Sequence, residues 1–234
     1  MSPAAEPTPR GQRRLVRTKT SAAVVDYVLE QLFTGVLRSG DRIDLDEIGD
    51  ALGLSRLPVR EALVMLERDG IVSTRYHRGV FVEPFDAASI LDDFEIMGLL
   101  SGLAVRRLAE APSPETITVL RGLVDRLRAT RPPDRDEIFK VVSEIMTTEH
   151  RAGGSRRLRA QLRAHAGFLP QAFQYINRSH AATVRAHTQV LDAVVAGQGE
   201  QAAAYRLDDF RDAGHAVVRE LRRRGVIGKQ PPGK

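Results

Sequence analysis

Two arginines are spaced so that they could read DNA. Arg56 and Arg60 lie four residues apart at the start of a segment in which Val59, Leu63 and Leu66 recur at helical spacing. Because residues four apart project from one face of a helix, we expect both guanidinium groups on the same side of its N-terminal end. A guanidinium there can donate two hydrogen bonds to a guanine edge or to a phosphate. Taken alone, such a pair is more often two solvated arginines, so the interpretation depends on the elements around it.

The neighbouring residues predict two short helices joined by a tight turn. The first begins at Asp44, which opens an Asp-x-x-Glu signature typical of a helix N-terminus, and it ends at Gly53. Ser55 is expected to cap the second helix, which ends at Gly70. Pro58 is tolerated because it lies in the first turn, where backbone N–H groups have no partner within the helix.

A strand pattern follows the second helix. Residues 72–76 and 80–82, separated by a polar His-Arg-Gly sequence, predict a β-hairpin with Gly79 in its turn. Another helix, over residues 21–34, is expected to pack beneath the two short helices through its apolar stripe. Helix, tight turn, helix and hairpin together predict a winged helix-turn-helix, in which the second short helix enters the major groove of DNA.

The composition excludes several classes of function. The 234 residues are enough for two domains, and 42% of them are hydrophobic, which suffices for packed cores. There is no cysteine, which excludes disulfides, thiolate metal ligands and a cysteine nucleophile. With 35 basic and 30 acidic residues the net charge is +5, a surplus that permits a polyanionic partner. Neither a membrane-spanning run nor a secretion signal is recognised, so we expect a cytoplasmic protein.

Both ends of the chain are expected to be disordered. Residues 1–20 contain several prolines, arginines and lysine and are interpreted as a disordered basic arm, and residues 229–234 are interpreted as a disordered tail. The arm could supply an additional phosphate contact, which would steepen the salt dependence of DNA binding. A solubilising tail explains the same residues equally well.

The segment around the two arginines resembles the DNA-binding domain of GntR-family transcriptional regulators. Residues 54–63 carry the resemblance, together with residues 35–41, 66–71 and 78–82. Ser39 departs from the family, which commonly has proline there. The resemblance implies that DNA is contacted by the recognition helix and, at the minor groove, by the tip of the wing, through Ser55, Arg56, Pro58, Arg60, His77, Arg78 and Gly79.

Residues 87–228 are expected to form a second, all-α domain. Proline-, glycine- and asparagine-containing breaks divide it into six helical stretches, and the short loops between them predict an antiparallel bundle. The predicted fold class is therefore mainly α, with a winged helix-turn-helix and its small β-hairpin over residues 21–84. The second domain resembles the FCD ligand-binding domain of FadR-like GntR regulators, for example at residues 94–96 and 154–158.

The FCD resemblance also implies a ligand pocket, with informative departures. Many members hold a divalent metal through one aspartate and three histidines, and the metal helps to bind a small carboxylate. Aligned on residues 154–155, those four positions fall on Val142, Met146, His187 and, approximately, Asp209. An imidazole and a carboxylate alone make a poor metal site, so we expect no cofactor and an effector more apolar than a carboxylate. The predicted effector pocket comprises Met97, Ser101, Val142, Met146, His187 and Asp209.

A rebuilt metal site is the alternative for this pocket. His150 lies one helical turn after Met146 and could join His187 and Asp209, with Glu149 nearby. A metal at His150, His187 and Asp209 is disfavoured, because a lone histidine near a helix end is more often a capping or solvated residue. The same interpretation applies to His165, His180 and His215.

These observations favour a DNA-binding transcriptional regulator. The resemblance implies a homodimer, usually a repressor, that reads a short palindromic operator and responds to a small-molecule effector in the bundle. A DNA-binding dimer with a vestigial, ligand-free bundle is the alternative. An enzyme finds no support, because the sequence has no glycine-rich phosphate loop and no close nucleophile-base pair.

Overall fold

The structure is a computed structural model that divides into two compact units, residues 1–85 and 86–234. Helices dominate both units, and a small antiparallel sheet belongs to the first, so the predicted mainly α fold class is confirmed. Side chains are described from residue 20 onward. The residues that the structure describes are 10–132, 134–166, 172–173, 176 and 178–228.

The described part of the first unit has three helices and three short strands. Its core is formed mainly by Val28, Leu32 and Phe33 of the first helix and by Val59 and Leu66 of the third, all of which are buried. In chain order the elements are α1 (Arg10–Thr34), β1 (Arg42–Ile43), α2 (Leu45–Leu52), α3 (Arg56–Arg68), β2 (Val72–Arg75) and β3 (Gly79–Val82).

Helix α1 begins earlier than expected. Residues 10–20, assigned from the sequence to a disordered arm, belong to this helix, so that part of the assignment is corrected. The physical reason is that arginine, glutamine, leucine and lysine favour a helix and that no proline follows Pro9 within it. Residues 1–9 and 229–234, which were also expected to be disordered, lie outside the described residues.

Local hydrogen bonds and backbone angles set the ends of α2 and α3. The Asp44 side chain caps α2 by accepting hydrogen bonds from the backbone N–H groups of Asp46, at 2.8 Å, and Glu47, at 3.3 Å. Gly53 ends α2 with a φ of 64°, which glycine adopts at little cost. Ser55 occupies the N-cap position of α3, but its side chain makes no capping hydrogen bond, contrary to expectation.

The wing is a three-stranded antiparallel sheet with the strand order β1, β3, β2. The predicted hairpin is present, and Arg75 pairs with Gly79 at its tip end. Strand β1 was not predicted from the sequence. It pairs Arg42 with Phe81, and a strand of two residues is too short to show the alternation by which strands are recognised.

The second unit contains six helices in its described part, in agreement with the six predicted stretches. Asp86 caps the first of them by accepting hydrogen bonds from the backbone N–H groups of Ala88 and Ser89, each at 2.9 Å. The helices are α4 (Ala87–Glu110), α5 (Pro114–Ala129), α6 (Arg135–Gly153), α7 (Arg156–His165), α8 (His180–Val195) and α9 (Gly199–Arg223).

Two glycines allow α4 and α9 to lie close together. A Cβ atom at Gly98 would be 2.9 Å from the Cδ1 of Leu207, and one at Gly214 would be 2.9 Å from the Cβ of Phe94. Any larger residue would force these helices apart. Phe94 near the start of α4 meets Gly214, whereas Gly98, later in α4, meets Leu207, which precedes Gly214 in α9. The two helices are therefore antiparallel.

A second group of apolar residues joins α5, α6 and α8 to α4. Its members are buried, and they hold in place the helices that carry the polar residues described next. They include Leu108, Leu120, Val124, Leu127, Val141, Ile145, Val190 and Val194.

Candidate DNA-binding surface and ligand cavity

The N-terminal end of α3 presents one polar face and one apolar face. Ser55, Arg56 and Arg60 are exposed, whereas Val59 between them is completely buried. Pro58 is only half-buried and lies in the first turn, as expected. The buried side anchors the helix, so the two arginines are held on the outer surface at its start, where a recognition helix meets DNA.

Arg56 is paired with the preceding helix. Its Nε and Nη2 donate hydrogen bonds to the two carboxylate oxygens of Asp46, at 2.5 and 2.6 Å. The hydrogen bond from Arg56 lowers the pKa of Asp46. Both side chains are more than half exposed, so water and salt screen this pair. The sequence analysis missed the pairing, although Asp46 lies in the first turn of α2.

The tip of the wing has an unusual backbone. His77 has a φ of 57°, in the left-handed region, and the N–H of Arg78 donates to the carbonyl oxygen of Arg75 at 2.9 Å. Gly79 has a φ of 104° and begins β3, so the loop itself consists of residues 76–78. Gly79 was expected in the turn, and this expectation is corrected: Gly79 is the first residue after the turn.

Tyr76 is the wing residue that the sequence analysis did not single out. Its side chain is 88% exposed, and its ring lies 3.9 Å from the ring of His77. Arg75, also on the exposed strand, lies 4.5 Å above the ring of Phe81. The described wing therefore adds Arg75 and Tyr76 to the predicted His77, Arg78 and Gly79.

The bundle contains a cavity of about 220 Å³ where the sequence predicted an effector pocket. Val142, Met146, His187 and Asp209 all line it, so the structure brings together four of the six predicted residues. Its apolar wall is completed by Pro132, Ile138, Phe139, Phe173, Ile176 and Phe210. Polar groups are supplied by six residues of the lining: Arg135, Arg178, His180, Thr183, His187 and Asp209.

Two predicted pocket residues lie elsewhere. Met97 lines a neighbouring cavity on the other side of Met146. Ser101 is completely buried, and its hydroxyl is 2.9 Å from Nε2 of His150. Both residues belong to α4, and α6 lies between them and the cavity. The sequence could not show this, because it depends on how the two helices pack.

A buried ion cluster forms the polar end of the cavity. Arg206 is completely buried, and one guanidinium nitrogen donates to both carboxylate oxygens of Glu149 at 2.7 Å. Another nitrogen of Arg206 donates to Asp209 at 2.9 Å and lies 3.4 Å from Nδ1 of His187. Arg178 donates to the other oxygen of Asp209 at 2.6 Å. Two arginines therefore balance two carboxylates: Arg206 and Glu149 are buried, and Arg178 and Asp209 keep 14% and 10% of their side chains exposed.

The geometry of this cluster does not fit a divalent metal. The Arg206 guanidinium already lies between Glu149, His187 and Asp209, and its positive charge would repel a metal ion there. His150, the third residue of the alternative site, instead lies against Ser101. Among the described residues, no three histidine, aspartate or glutamate side chains converge as metal ligands.

The electrostatics of the cluster favour a fixed arginine and neutral histidines. Burial would lower the pKa of Arg206, but Glu149 and Asp209 outweigh that effect and raise it. Burial, together with Arg206, lowers the pKa of His187 to about 3 and that of His150 to about 4. Both rings are therefore neutral at physiological pH. A neutral His187 can accept a hydrogen bond from Arg206 at its Nδ1.

Three further polar residues at the cavity were missed. Arg135 donates to the carbonyl oxygen of Ile176 at 2.8 Å, and Nε2 of His180 lies 2.8 Å from the carbonyl oxygen of Leu127. Thr183 also lines the cavity. No local pattern distinguishes these residues from solvated ones, and His180 was expected to be unremarkable. Only the contacts between helices identify them.

The protein combines a winged helix-turn-helix with exposed arginines and a helical bundle that contains a cavity. Residues 20–82 match the family model described as bacterial regulatory proteins of the gntR family. Residues 92–208 match the model of the FCD domain. The chain belongs to the GntR family of regulators and carries an FCD domain, as the resemblance indicated, and these families are regulators and not enzymes.

Relatives of known sequence are also regulators. An HTH-type transcriptional regulator of Mycobacterium tuberculosis is 44% identical over 66% of this chain, and the match spans 63% of the relative's length. A probable D-xylose utilization operon transcriptional repressor of Paenarthrobacter nicotinovorans is 29% identical over 60% of each chain. The Nta operon transcriptional regulator of Aminobacter aminovorans is 34% identical over 36% of this chain and 40% of its own.

Solved structures share the fold. Escherichia coli McbR/YncC has a TM-score of 0.59 at 18% identity, with 86% of this chain and 97% of that chain covered. A GntR-type putative regulator from Rhodococcus sp. RHA1 has a TM-score of 0.55 at 21% identity, with coverages of 85% and 97%. No described helix is both long and apolar enough to cross a membrane.

Proposed function

We propose that this protein is a homodimeric transcriptional repressor whose affinity for DNA is controlled by a small molecule in the bundle cavity. The observation that carries the proposal is the occurrence in one chain of exposed arginines on a recognition helix and of an enclosed cavity in the bundle. The repressor assignment is supported by the name of the Paenarthrobacter nicotinovorans relative.

The recognition helix and the wing would contact DNA from each protomer. Arg56 and Arg60 are positioned to donate to guanine edges or phosphates in the major groove, and Ser55 can donate to a nearby phosphate. His77, Arg78 and Gly79, with Tyr76 beside them, would approach the minor groove. A two-fold symmetric dimer requires a palindromic operator, because each half-site meets the same surface.

The effector would be small and mainly apolar, with one polar group. The cavity volume of about 220 Å³ lies below the range for drug-sized ligands. Val142, Met146 and Phe210 supply an apolar lining, and Arg178 and His180 are among the polar residues of the cavity. A hydrogen-bonding group on the ligand would meet Arg178, which is then shared between the ligand and Asp209. No metal is required for this contact.

A second function deserves a test because of one specific observation. The Arg206 cluster satisfies its own charges, so the bundle can be stable without any ligand. The bundle would then serve only for dimerisation, and the protein would bind DNA constitutively. The two functions differ in one measurable property, the response of DNA affinity to small molecules.

The decisive experiment starts with selection of binding sites from random duplexes by the purified protein. We expect a symmetric sequence that is bound by two protomers, as measured by sedimentation. An asymmetric site bound by a single protomer would contradict the homodimer proposal. A small-molecule library is then tested for release of the selected duplex by fluorescence anisotropy.

A cavity-filling variant supplies the control for that library. Thr183→Phe places a ring in the cavity and is expected to keep DNA binding while abolishing the response to any active compound. Thr118→Phe makes the same change at an exposed position of α5 and should respond like the wild type. A Thr183→Phe variant that still responds would place the effector elsewhere. A complete lack of active compounds would favour the constitutive dimer.

A further inference from the structure

A second cavity of about 440 Å³ lies beside the first. Met146, Phe139 and Phe173 line both cavities, so these three side chains form the wall between them. The second cavity continues to Met97 on α4 and Leu162 on α7, which extend its apolar floor. Nothing in the function proposed above uses this space.

Three arginines surround the second cavity. Arg151 comes from the last turn of α6, and Arg159 and Arg163 lie one helical turn apart on α7. None of them has an ion-pair partner in the described part of the chain, and no carboxylate among the described residues lines the cavity. His150 also lines it, and burial leaves this ring neutral because its pKa is lowered to about 4.

Four other arginines of the bundle are arranged differently. Arg126, Arg178, Arg206 and Arg211 are each paired with a carboxylate of a different helix or turn. Helix α7, in contrast, has the sequence RRLRAQLRAH, with four arginines and no acidic residue. Like charges that line one cavity repel one another, and an anion bound between them would relieve the repulsion.

Arg159 is packed more closely than Arg151 and Arg163, whose side chains are exposed. Its side chain is half-buried, and a Cβ atom at Gly154 would lie 3.0 Å from its Cγ. Leu158 and Leu162 are buried and anchor the same helix. The guanidinium groups of Arg159 and Arg163 are therefore presented at the cavity by a held helix and not by a free surface loop.

We propose that this second cavity binds an amphiphilic phosphate monoester, with the phosphate at Arg151, Arg159 and Arg163 and the apolar part on the floor formed by Met97, Phe139 and Leu162. A phosphate monoester carries close to two negative charges and three acceptor oxygens at neutral pH, which matches three unpaired guanidinium groups better than a carboxylate does. The apolar floor favours a small amphiphilic molecule over a nucleic-acid strand, whose backbone would leave that floor empty.

Binding is tested by isothermal titration calorimetry on the full-length protein, without DNA and in a phosphate-free buffer. The probes are phenyl phosphate, inorganic phosphate and benzoate. We expect saturable binding of phenyl phosphate, and weaker binding of inorganic phosphate and of benzoate, because each of these lacks one half of the recognised structure. The failure of this assay would leave the DNA-binding function untouched, since no DNA is present.

Two matched double variants locate the site. Arg159→Gln with Arg163→Gln removes two charges at the cavity and should weaken phenyl phosphate binding by about tenfold or more. Arg156→Gln with Arg157→Gln removes the same charge from the exposed start of the same helix, where neither residue lines the cavity, and should change binding less than about twofold. Circular dichroism confirms that each variant is folded.

Several results would overturn the proposal. They are an absence of saturable phenyl phosphate binding, an equal loss in both double variants, and equal affinities for phenyl phosphate and either simpler probe. A loss of affinity for duplex DNA in the Arg159→Gln and Arg163→Gln variant, without phenyl phosphate binding to the wild type, would instead identify α7 as a nucleic-acid contact.

Discussion

The two units each contain an arginine–carboxylate pair, but the two pairs serve opposite purposes. Arg56 and Asp46 in the first unit form a bidentate pair with 69% and 56% of their side chains exposed. Arg206 and Glu149 in the second unit form an equally close pair with 0% and 3% exposed. Water screens the first pair, so Arg56 can leave Asp46 for a base or phosphate. The second pair is fixed, because separating it would leave a buried charge without a partner.

The largest effect on stability is expected from a substitution of Arg206. Arg206→Ala should destabilise the protein by roughly 3 to 5 kcal/mol, because Glu149 and Asp209 would remain buried without their shared partner. Urea unfolding followed by circular dichroism measures this effect. Arg128→Ala, at an exposed arginine that is paired with Asp125, is the control and should change stability little. Similar stability of the two variants would show that the cluster does not hold the bundle together.

The exposed arginines should affect DNA binding and not stability. Arg56→Ala or Arg60→Ala is expected to weaken binding to the selected operator by about tenfold to a hundredfold, since each would lose hydrogen bonds to DNA. Fluorescence anisotropy on the operator measures the loss, and thermal unfolding should remain close to that of the wild type. Unchanged affinity in both variants would remove the assignment of α3 as the recognition helix.

The buried histidines of the second unit should make its stability depend on pH. The pKa of His187 is lowered to about 3 and that of His150 to about 4, mainly by burial. The unfolded chain therefore binds more protons below about pH 6.5, so stability is full above that pH and falls as the pH decreases. Between pH 7 and pH 5 each histidine should account for roughly 2 kcal/mol of the loss.

Urea unfolding at several pH values tests this dependence. His187→Gln should make the loss of stability between pH 7 and pH 5 smaller, although the variant is less stable at pH 7. His215→Gln, at an exposed position of α9, is the matched control and should keep the wild-type profile. The same profile in all three proteins would contradict the role of buried neutral histidine.

The smallest effect is expected at Asp46. Asp46→Asn removes the charged partner of Arg56 and one negative charge near the DNA, so affinity for the operator should rise by a few-fold at low salt. Stability should change little, because the pair is exposed. A marked decrease in operator affinity would show that Asp46 orients Arg56 for binding and does not compete with DNA.

Most of the first unit could be recognised in the sequence because its signals are local. The spacing of Val59, Leu63 and Leu66 predicted α3, and the glycine after α2 predicted the turn. Strand β1 was missed because it is two residues long and depends on pairing with β3. The helical structure of residues 10–20 was missed because the prolines before them suggested disorder along the whole segment.

The cavity could be predicted only in part. Val142, Met146, His187 and Asp209 were identified by comparison with the positions of a family pattern, and all four line one cavity. Met97 and Ser101 were displaced from it, because their positions depend on how α4 packs behind α6. Whether these residues bind an effector stays a prediction.

The sequence by itself determined the helix-turn-helix, the hairpin and the two-domain division, since helix periods, caps and turn glycines act over a few residues. Only the tertiary structure decided which charges are paired. Arg206 and Glu149 lie 57 residues apart, and no local pattern connects them. Burial depends on how the bundle packs. It makes Arg206 a structural cation, whereas Arg56 stays exposed and is the arginine that we propose contacts DNA.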